Sequence, residues 1–292
     1  MTNVINDLLN RCTFPEGPVV CAVSGGADSM ALLALASSAG LEVTAIHVDH
    51  GIREGSDKEA EIVAAAAERF GAQFESRSIT VESGPNLEER ARQARYSVLP
   101  EKVLTGHTAD DQAETILLAL IRGSAWQGMG GIMPTTNRPI LHLRRSETEH
   151  VCSSLGITTI TDPSNTDPQF RRNRIRHELL PLLCDIADRD LVPVLVRQAE
   201  LFRDGSKFIS EEAQKVDPTD TKALENAPRI ISREAIRNWI WETRADDHPP
   251  DLATIDRVLD VAYLESIATD IGKGWRVART DRVLRIEKPD AV

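Results

Sequence analysis

An apolar run, GPVVCAV (17–23), stops at SGGADS (24–29) and resumes at once as MALLALA (30–36). A β-branched run reads as a strand, and the second run as a buried helix. Only a sharp turn fits between them, and glycine supplies the backbone freedom for it. A strand that turns straight into a helix leaves free backbone N–H groups and the positive end of the helix dipole facing one spot. That spot suits an anion. Gly25, Gly26 and Ala27 are small enough to let a phosphate approach, and Ser24, Asp28 and Ser29 bring two hydroxyls and a carboxylate to it.

The same alternation continues. Strands are predicted at about 18–23, 43–48, 73–79 and 102–105, with helices between and after them at about 28–39, 57–70, 87–99 and 110–122. Strands alternating with helices of this length make an α/β fold, a parallel sheet with helices on both faces and ligands at the carboxyl ends of the strands. SGGADS, HVDHG (47–51) and TGHTADDQAE (105–114) all fall at such ends. Beyond about residue 185 the pattern becomes helical: a long helix near 191–216, further helices at about 221–243 and 251–264, then a short β ending, GKGWRVARTDRVLRIEK. The expected organisation is a phosphate-binding catalytic domain over 1–185, a linking helix over 186–215, and a smaller, mainly helical domain over 216–292. The 292 residues, 41% of them apolar, suffice for two cores.

Charge and cysteine usage narrow the class. Apolar stretches are broken by charge before the ~18–20 residues of a membrane span, and the start has no basic head with an apolar core, so a cytoplasmic protein without a membrane partner is expected. The four cysteines form no CxxC pair, which argues against zinc and iron–sulfur sites. A net charge of −11 argues at first against nucleic acid. Between Arg122 and His177, however, eight arginines face only four acids. Such a stretch is either a phosphate-reading face or a set of arginines paired with acids from elsewhere.

The loop is not a kinase-type P-loop, because no lysine follows the glycines and GKS or GKT occurs nowhere; nor does it match G-x-G-x-x-G. Backbone N–H groups and hydroxyls can cradle pyrophosphate, with Asp28 holding Mg²⁺ against it. S-G-G-x-D-S after a first strand resembles the PP-loop superfamily of ATP pyrophosphatases. Four further stretches, IHVDHGIR (46–53), NLEERARQARY (86–96), TGHTADDQAETILLALIRGS (105–124) and FRRNRIRHELLPLL (170–183), occur in order. Together they resemble the tRNA(Ile)-lysidine synthetase family. One departure is Thr108, where the family pattern GHHADD has a second histidine; with His107, Asp110 and Asp111 retained, position 108 is expected to be dispensable.

The resemblance implies ATP and Mg²⁺ as cofactors, free L-lysine and a tRNA(Ile) with anticodon CAU as partners, and room for a homodimer. The carbon-2 oxygen of the wobble cytidine attacks the α-phosphate of ATP, pyrophosphate leaves, and the lysine ε-amine displaces AMP. It implies ATP contacts from Ser24, Gly25, Gly26, Ala27, Asp28, Ser29 and His50, and substrate contacts from His107, Asp110 and Asn173. Catalytic roles fall to Asp28, Asp111, Glu114, Arg172 and Arg176, with Asp28 and Asp111 as the Mg²⁺ ligands. Spacing agrees: Asp110 and Asp111 lie four and three residues before Glu114, and Arg172 lies four before Arg176, so each set shares a helix face. A base is needed, since only ~0.04% of free lysine amine is unprotonated at pH 7. Asp111 and Glu114 are both candidates. His47 and Asp49 beside His50 suit a polar contact near the nucleotide better than a metal site, and GMGG (128–131) reads as a mobile segment. The rivals are a thiolase-type PP-loop enzyme, weakened by the missing thiol pair, and a non-catalytic homologue that binds tRNA or nucleotide, weakened because Asp28, Asp111, Arg172 and Arg176 are all present.

Overall fold

The structure is a computed structural model, and it describes residues 2–49, 56–80, 87–246 and 248–288. The chain forms two compact units, Met1–Glu200 and Leu201–Val292.

In the first unit a short helix, α1 (Thr2–Leu9), precedes β1 (Val19–Ala22) and α2 (Ala27–Ser38). Then come β2 (Val43–Asp49), α3 (Ser56–Arg69), β3 (Gln73–Ser78), α4 (Leu87–Ser97) and α5 (Ala109–Ile121). The three strands are parallel in the order β1-β2-β3. Every residue from Ser29 to Ala36 of α2 is buried, which is why MALLALA shows no amphipathic rhythm. β3, QFESRS, is the polar edge, and its charged side chains keep that edge from recruiting another strand.

The strand predicted at 102–105 is reduced to one parallel bridge, Cys21 to Leu104, on the free side of β1. Leu104 N–H donates to Val20 O at 2.7 Å, and Ala22 N–H donates to Leu104 O at 2.9 Å. The pairing goes no further because the neighbouring N–H groups turn elsewhere, Val103 to Pro100 O at 3.1 Å and Thr105 to Asn137 O at 3.0 Å. Chain crossing therefore reverses at β1, and the loops after β1 and after Leu104 meet at this reversal, the place where parallel sheets bind ligands.

After α5 come a single helical turn, α6 (Trp126–Met129), and α7 (Arg145–Ser154), a helix not predicted from the sequence. A short 3₁₀ turn (Pro163–Thr166) leads to α8 (Arg171–Arg174), a π-helical turn at Ile175–Leu179, α9 (Leu180–Ala187) and α10 (Val192–Ala213). Just after GMGG, Ile132 N–H donates to Gln112 Oε1, and Gln112 Nε2 donates back to Ile132 O at 3.1 Å.

The boundary between the units falls within α10. In the second unit α11 (Thr221–Asn226), α12 (Arg229–Arg244) and α13 (Leu252–Ala262) pack with an antiparallel sheet, β4 (Ala268–Gly272), β5 (Trp275–Thr280) and β6 (Val283–Glu287). Their core joins Leu224, Ile236, Ile240, Val258, Leu259 and Val277. The single helix predicted over 221–243 is two, because Ala227 is extended and Pro228 caps the start of α12. Among the described residues no helix is long and apolar enough to cross a membrane.

Candidate active site

Gly25 takes φ +88°, the left-handed region, and starts the turn that aims α2 at the ligand side. A Cβ there would lie 2.1 Å from Ile160 Cδ1, and Ile160 N–H donates to Gly25 O at 2.9 Å. Ser29 Oγ accepts from Ser24 N–H at 3.2 Å and donates to Gly26 O at 2.9 Å, so the hydroxyl braces the turn. Gly26 caps α2 with no side-chain acceptor, leaving the first N–H groups of the helix for an anion. Beneath the loop, buried His47 lies with Nδ1 2.9 Å from Val23 O, and its Nε2 has no hydrogen-bond partner among the described residues. His50 lies outside the described residues, as do 51–55 and 81–86.

The second loop touches the first. A Cβ on Gly106 would lie 2.8 Å from both C and O of Asp28, so only glycine lets the two loops meet. His107 Nδ1 then lies 2.8 Å from Thr105 Oγ1, and α5 begins. Thr108, fully buried, gives both its N–H and its hydroxyl to Asp111 Oδ2, each at 2.9 Å. The position expected to be dispensable thus fixes one oxygen of Asp111.

Asp110 points the other way. It accepts Arg144 Nε and Nη2 at 3.1 Å and the backbone N–H of Arg145 at 2.8 Å, pinning the start of α7 to α5. Asp28 accepts from Thr148 Oγ1, and Thr148 is itself fully buried. Arg145 meets three carboxylates, one per nitrogen: Nε to Asp28 at 3.4 Å, Nη2 to Asp111 at 3.2 Å, Nη1 to Glu114 at 3.0 Å.

Glu114 is 0% exposed and surrounded by arginines. Besides Arg145 it takes Arg172 Nε at 2.9 Å and Arg176 Nε at 2.6 Å. Arg172 and Arg176 also approach Asp111 Oδ1, at 3.5 and 3.6 Å. With both oxygens engaged, Glu114 orients guanidinium groups, and Asp111 is likewise engaged on both of its oxygens, by Thr108 on one and by the three arginines on the other. Asn173, expected at the substrate, donates through Nδ2 to Asp167 O at 2.9 Å and tethers the preceding loop.

Burial acts to raise the pKa of Asp111, but Arg145, Arg172 and the Thr108 N–H outweigh it and hold the carboxyl below its ordinary value. Asp28 goes the other way. Burial there wins over the Thr148 hydrogen bond and Arg145, so its pKa is raised. Among the described residues no group of three or more His, Cys, Asp or Glu is arranged for a metal ion. Mg²⁺ needs less, because one or two carboxylates beside substrate phosphates suffice. Asp28 and Asp111 provide hard oxygen donors, and the guanidinium between them marks a place for positive charge. The pair fits Mg²⁺.

Arg145 and Thr148 were not assigned to the site from sequence, and Thr108 was noted there only as a dispensable departure. The segment RRSETE offers only one acid, Glu147, in the first turn of α7, which does not distinguish a helix start from charged surface.

Comparison with known proteins places the chain in a family. The family model of the PP-loop domain matches residues 1–183. A curated tRNA(Ile)-lysidine synthase of Rhodococcus erythropolis is 40% identical over 242 residues, 77% of this chain and 74% of that protein. One from Nocardia farcinica is 38% identical over 244 residues, covering 78% and 76%. Among solved structures, a U34-tRNA thiolase from Methanococcus maripaludis with its [4Fe-4S] cluster is similar in fold, with a TM-score of 0.52 at 15% identity over 69% of this chain and 79% of that one.

Proposed function

Since the chain belongs to the tRNA(Ile)-lysidine synthase family of PP-loop proteins, we propose that it joins free lysine to carbon 2 of the wobble cytidine of a CAU-anticodon tRNA(Ile), with ATP converted to AMP and pyrophosphate. The observation that carries this reading is the meeting of Asp28, from the phosphate loop, with Asp111 and Glu114, from α5, on the single guanidinium of Arg145. The nucleotide site and the acid–arginine cluster are one site.

In the first step the cytidine O2 attacks the α-phosphorus, an O–P bond forms, and the bond to the β-phosphate breaks with its electrons leaving on pyrophosphate. The N–H groups at the start of α2 and the residues Ser24–Ser29 hold the phosphates in line. Mg²⁺, held by Asp28 and Asp111, would neutralise charge on the triphosphate. Arg172 and Arg176 grip the α-phosphate or the inserted base with planar forks whose direction Glu114 sets. In the second step the lysine amine attacks carbon 2, the C–O bond breaks, and AMP departs. Asp111, kept ionised by its arginines, takes the ammonium proton. His107 and Asp110 border this space, Asp110 by holding α7 in place.

The wobble base must leave its stack to reach the site. Telling this tRNA from tRNA(Met), which shares the anticodon, needs contacts elsewhere. We assign them to the helical region 216–292, reading shape and phosphates, with 1–185 catalytic and 186–215 linking. An enzyme with these substrates works in the cytoplasm. Whether it does so as a homodimer is read from the sedimentation of the purified protein.

The test is incubation with ATP, Mg²⁺, labelled lysine and a CAU-anticodon tRNA(Ile) transcript, with tRNA(Met) as control. Label is expected in tRNA(Ile) only, with stoichiometric AMP and pyrophosphate, and none with Asp111→Asn. Pyrophosphate without lysine incorporation would leave an ATP-cleaving enzyme with a different acceptor. No turnover by folded protein would favour a tRNA-binding homologue.

A further inference from the structure

The guanidinium of Arg145 stands where the Mg²⁺ ligands Asp28 and Asp111 face each other. It uses a different nitrogen for each of Asp28, Glu114 and Asp111, at 3.4, 3.0 and 3.2 Å. Its backbone N–H is fixed by Asp110, and its carbonyl lies 2.7 Å from Thr148 Oγ1, the hydroxyl that donates to Asp28. The side chain is four-fifths covered. A divalent ion between the two aspartates would therefore meet a fixed positive charge at contact distance. Two cations cannot share these carboxylates without strong repulsion.

A triphosphate changes that balance. It brings several negative charges to the start of α2, and a planar guanidinium is well suited to phosphate oxygens. Once phosphates arrive, Arg145 has another anion to pair with, and the carboxylates are released to metal.

We propose that Arg145 is a positioning residue that stands in for the metal ion in the nucleotide-free protein, so that Mg²⁺ enters only together with ATP. This rests on the ATP-cleaving reading above but not on the identity of the acceptor. The arrangement keeps Asp28 and Asp111 aligned before substrate binds and prevents a lone divalent ion from occupying the site. Lysine at this position would not reproduce it, because a single ammonium cannot address three carboxylates on a planar fork.

The test is titration of the nucleotide-free, full-length protein with Mn²⁺, followed by the electron paramagnetic resonance signal of the free ion. Wild type is expected to bind Mn²⁺ weakly, and Arg145→Met roughly tenfold or more tightly. Circular dichroism checks folding, and Arg145→Gln is the second variant should the methionine form fail to fold. Equal affinity in wild type and folded variant, whether tight or weak, overturns the proposal. The titration contains no ATP, lysine or tRNA. Its failure is thus distinct from a failure of lysidine formation.

Discussion

Asp111 divides its duties between two oxygens. Oδ2 takes the N–H and hydroxyl of Thr108, while Oδ1 faces Arg145, Arg172 and Arg176. Its depressed pKa favours the ionised form, so the stability it contributes is full above the ordinary aspartate value of about 3.9 and is lost as pH falls through its lower folded value. Asp28 has the opposite sign. Its raised pKa gives a contribution present below about 3.9 and lost as pH rises through the folded value, so an ionised Asp28 in the resting protein opposes folding. Thr108→Val keeps the shape and removes one donor to the charged carboxylate. A hydrogen bond to a charged group is worth about 1.5–3 kcal/mol, so the acidic limb of the activity profile should move up by about one to two pH units. An unmoved limb would mean that the hydroxyl does not tune Asp111.

At the scale of elements, the contact between the phosphate loop and the loop after Leu104 hangs on Gly106. Gly106→Ala places a methyl group 2.8 Å from the Asp28 backbone, which has no room to yield without tilting the start of α2. Overpacking of this kind costs about 1–3 kcal/mol. A higher KM for ATP should accompany the lower unfolding midpoint, and an unchanged KM would separate the glycine from nucleotide binding. Gly25→Ala meets Ile160 along its side chain, with Cδ1 at 2.1, Cγ1 at 2.9 and Cβ at 3.3 Å, and its φ of +88° adds strain. The β1–loop–α2 unit was legible because its rule is local: an apolar run, glycines, an apolar run. The break at Pro228 was equally available, since proline cannot continue the helix before it. Helix α7 was not legible, because RRSETEH reads as ordinary charged surface. The decisive partners of Arg145 lie 117 and 34 residues away, and no local rule pairs them.

At the scale of the whole molecule, each unit has its own core: Met30, Leu32, Leu33, Leu35 and Leu143 in one, Leu224, Ile236, Val258 and Val277 in the other. Units with separate cores unfold separately unless tightly coupled. Calorimetry is expected to resolve two transitions, with ATP and Mg²⁺ raising only the one that belongs to Met1–Glu200. A ligand at 100 times its dissociation constant adds about 2.7 kcal/mol. One cooperative transition that shifts as a whole would show that the units unfold together. The composition suggested two cores, but the boundary inside α10 was hidden, because a continuous helix carries no break in its sequence pattern.

Three carboxylates, Asp28, Asp111 and Glu114, face three guanidinium groups, Arg145, Arg172 and Arg176, and with all six ionised the cluster is neutral. That neutrality restricts how such a sequence can drift. Replacing any one member leaves an unmatched charge in a largely dry place, whereas removing one acid and one arginine together restores the balance. Glu114 binds the set most tightly, since it pairs with all three arginines at 3.0 Å or less, and its loss leaves them to share Asp111 and Asp28. Descendants of this chain can alter the cluster in matched pairs, and every single step between them passes through a weakened protein.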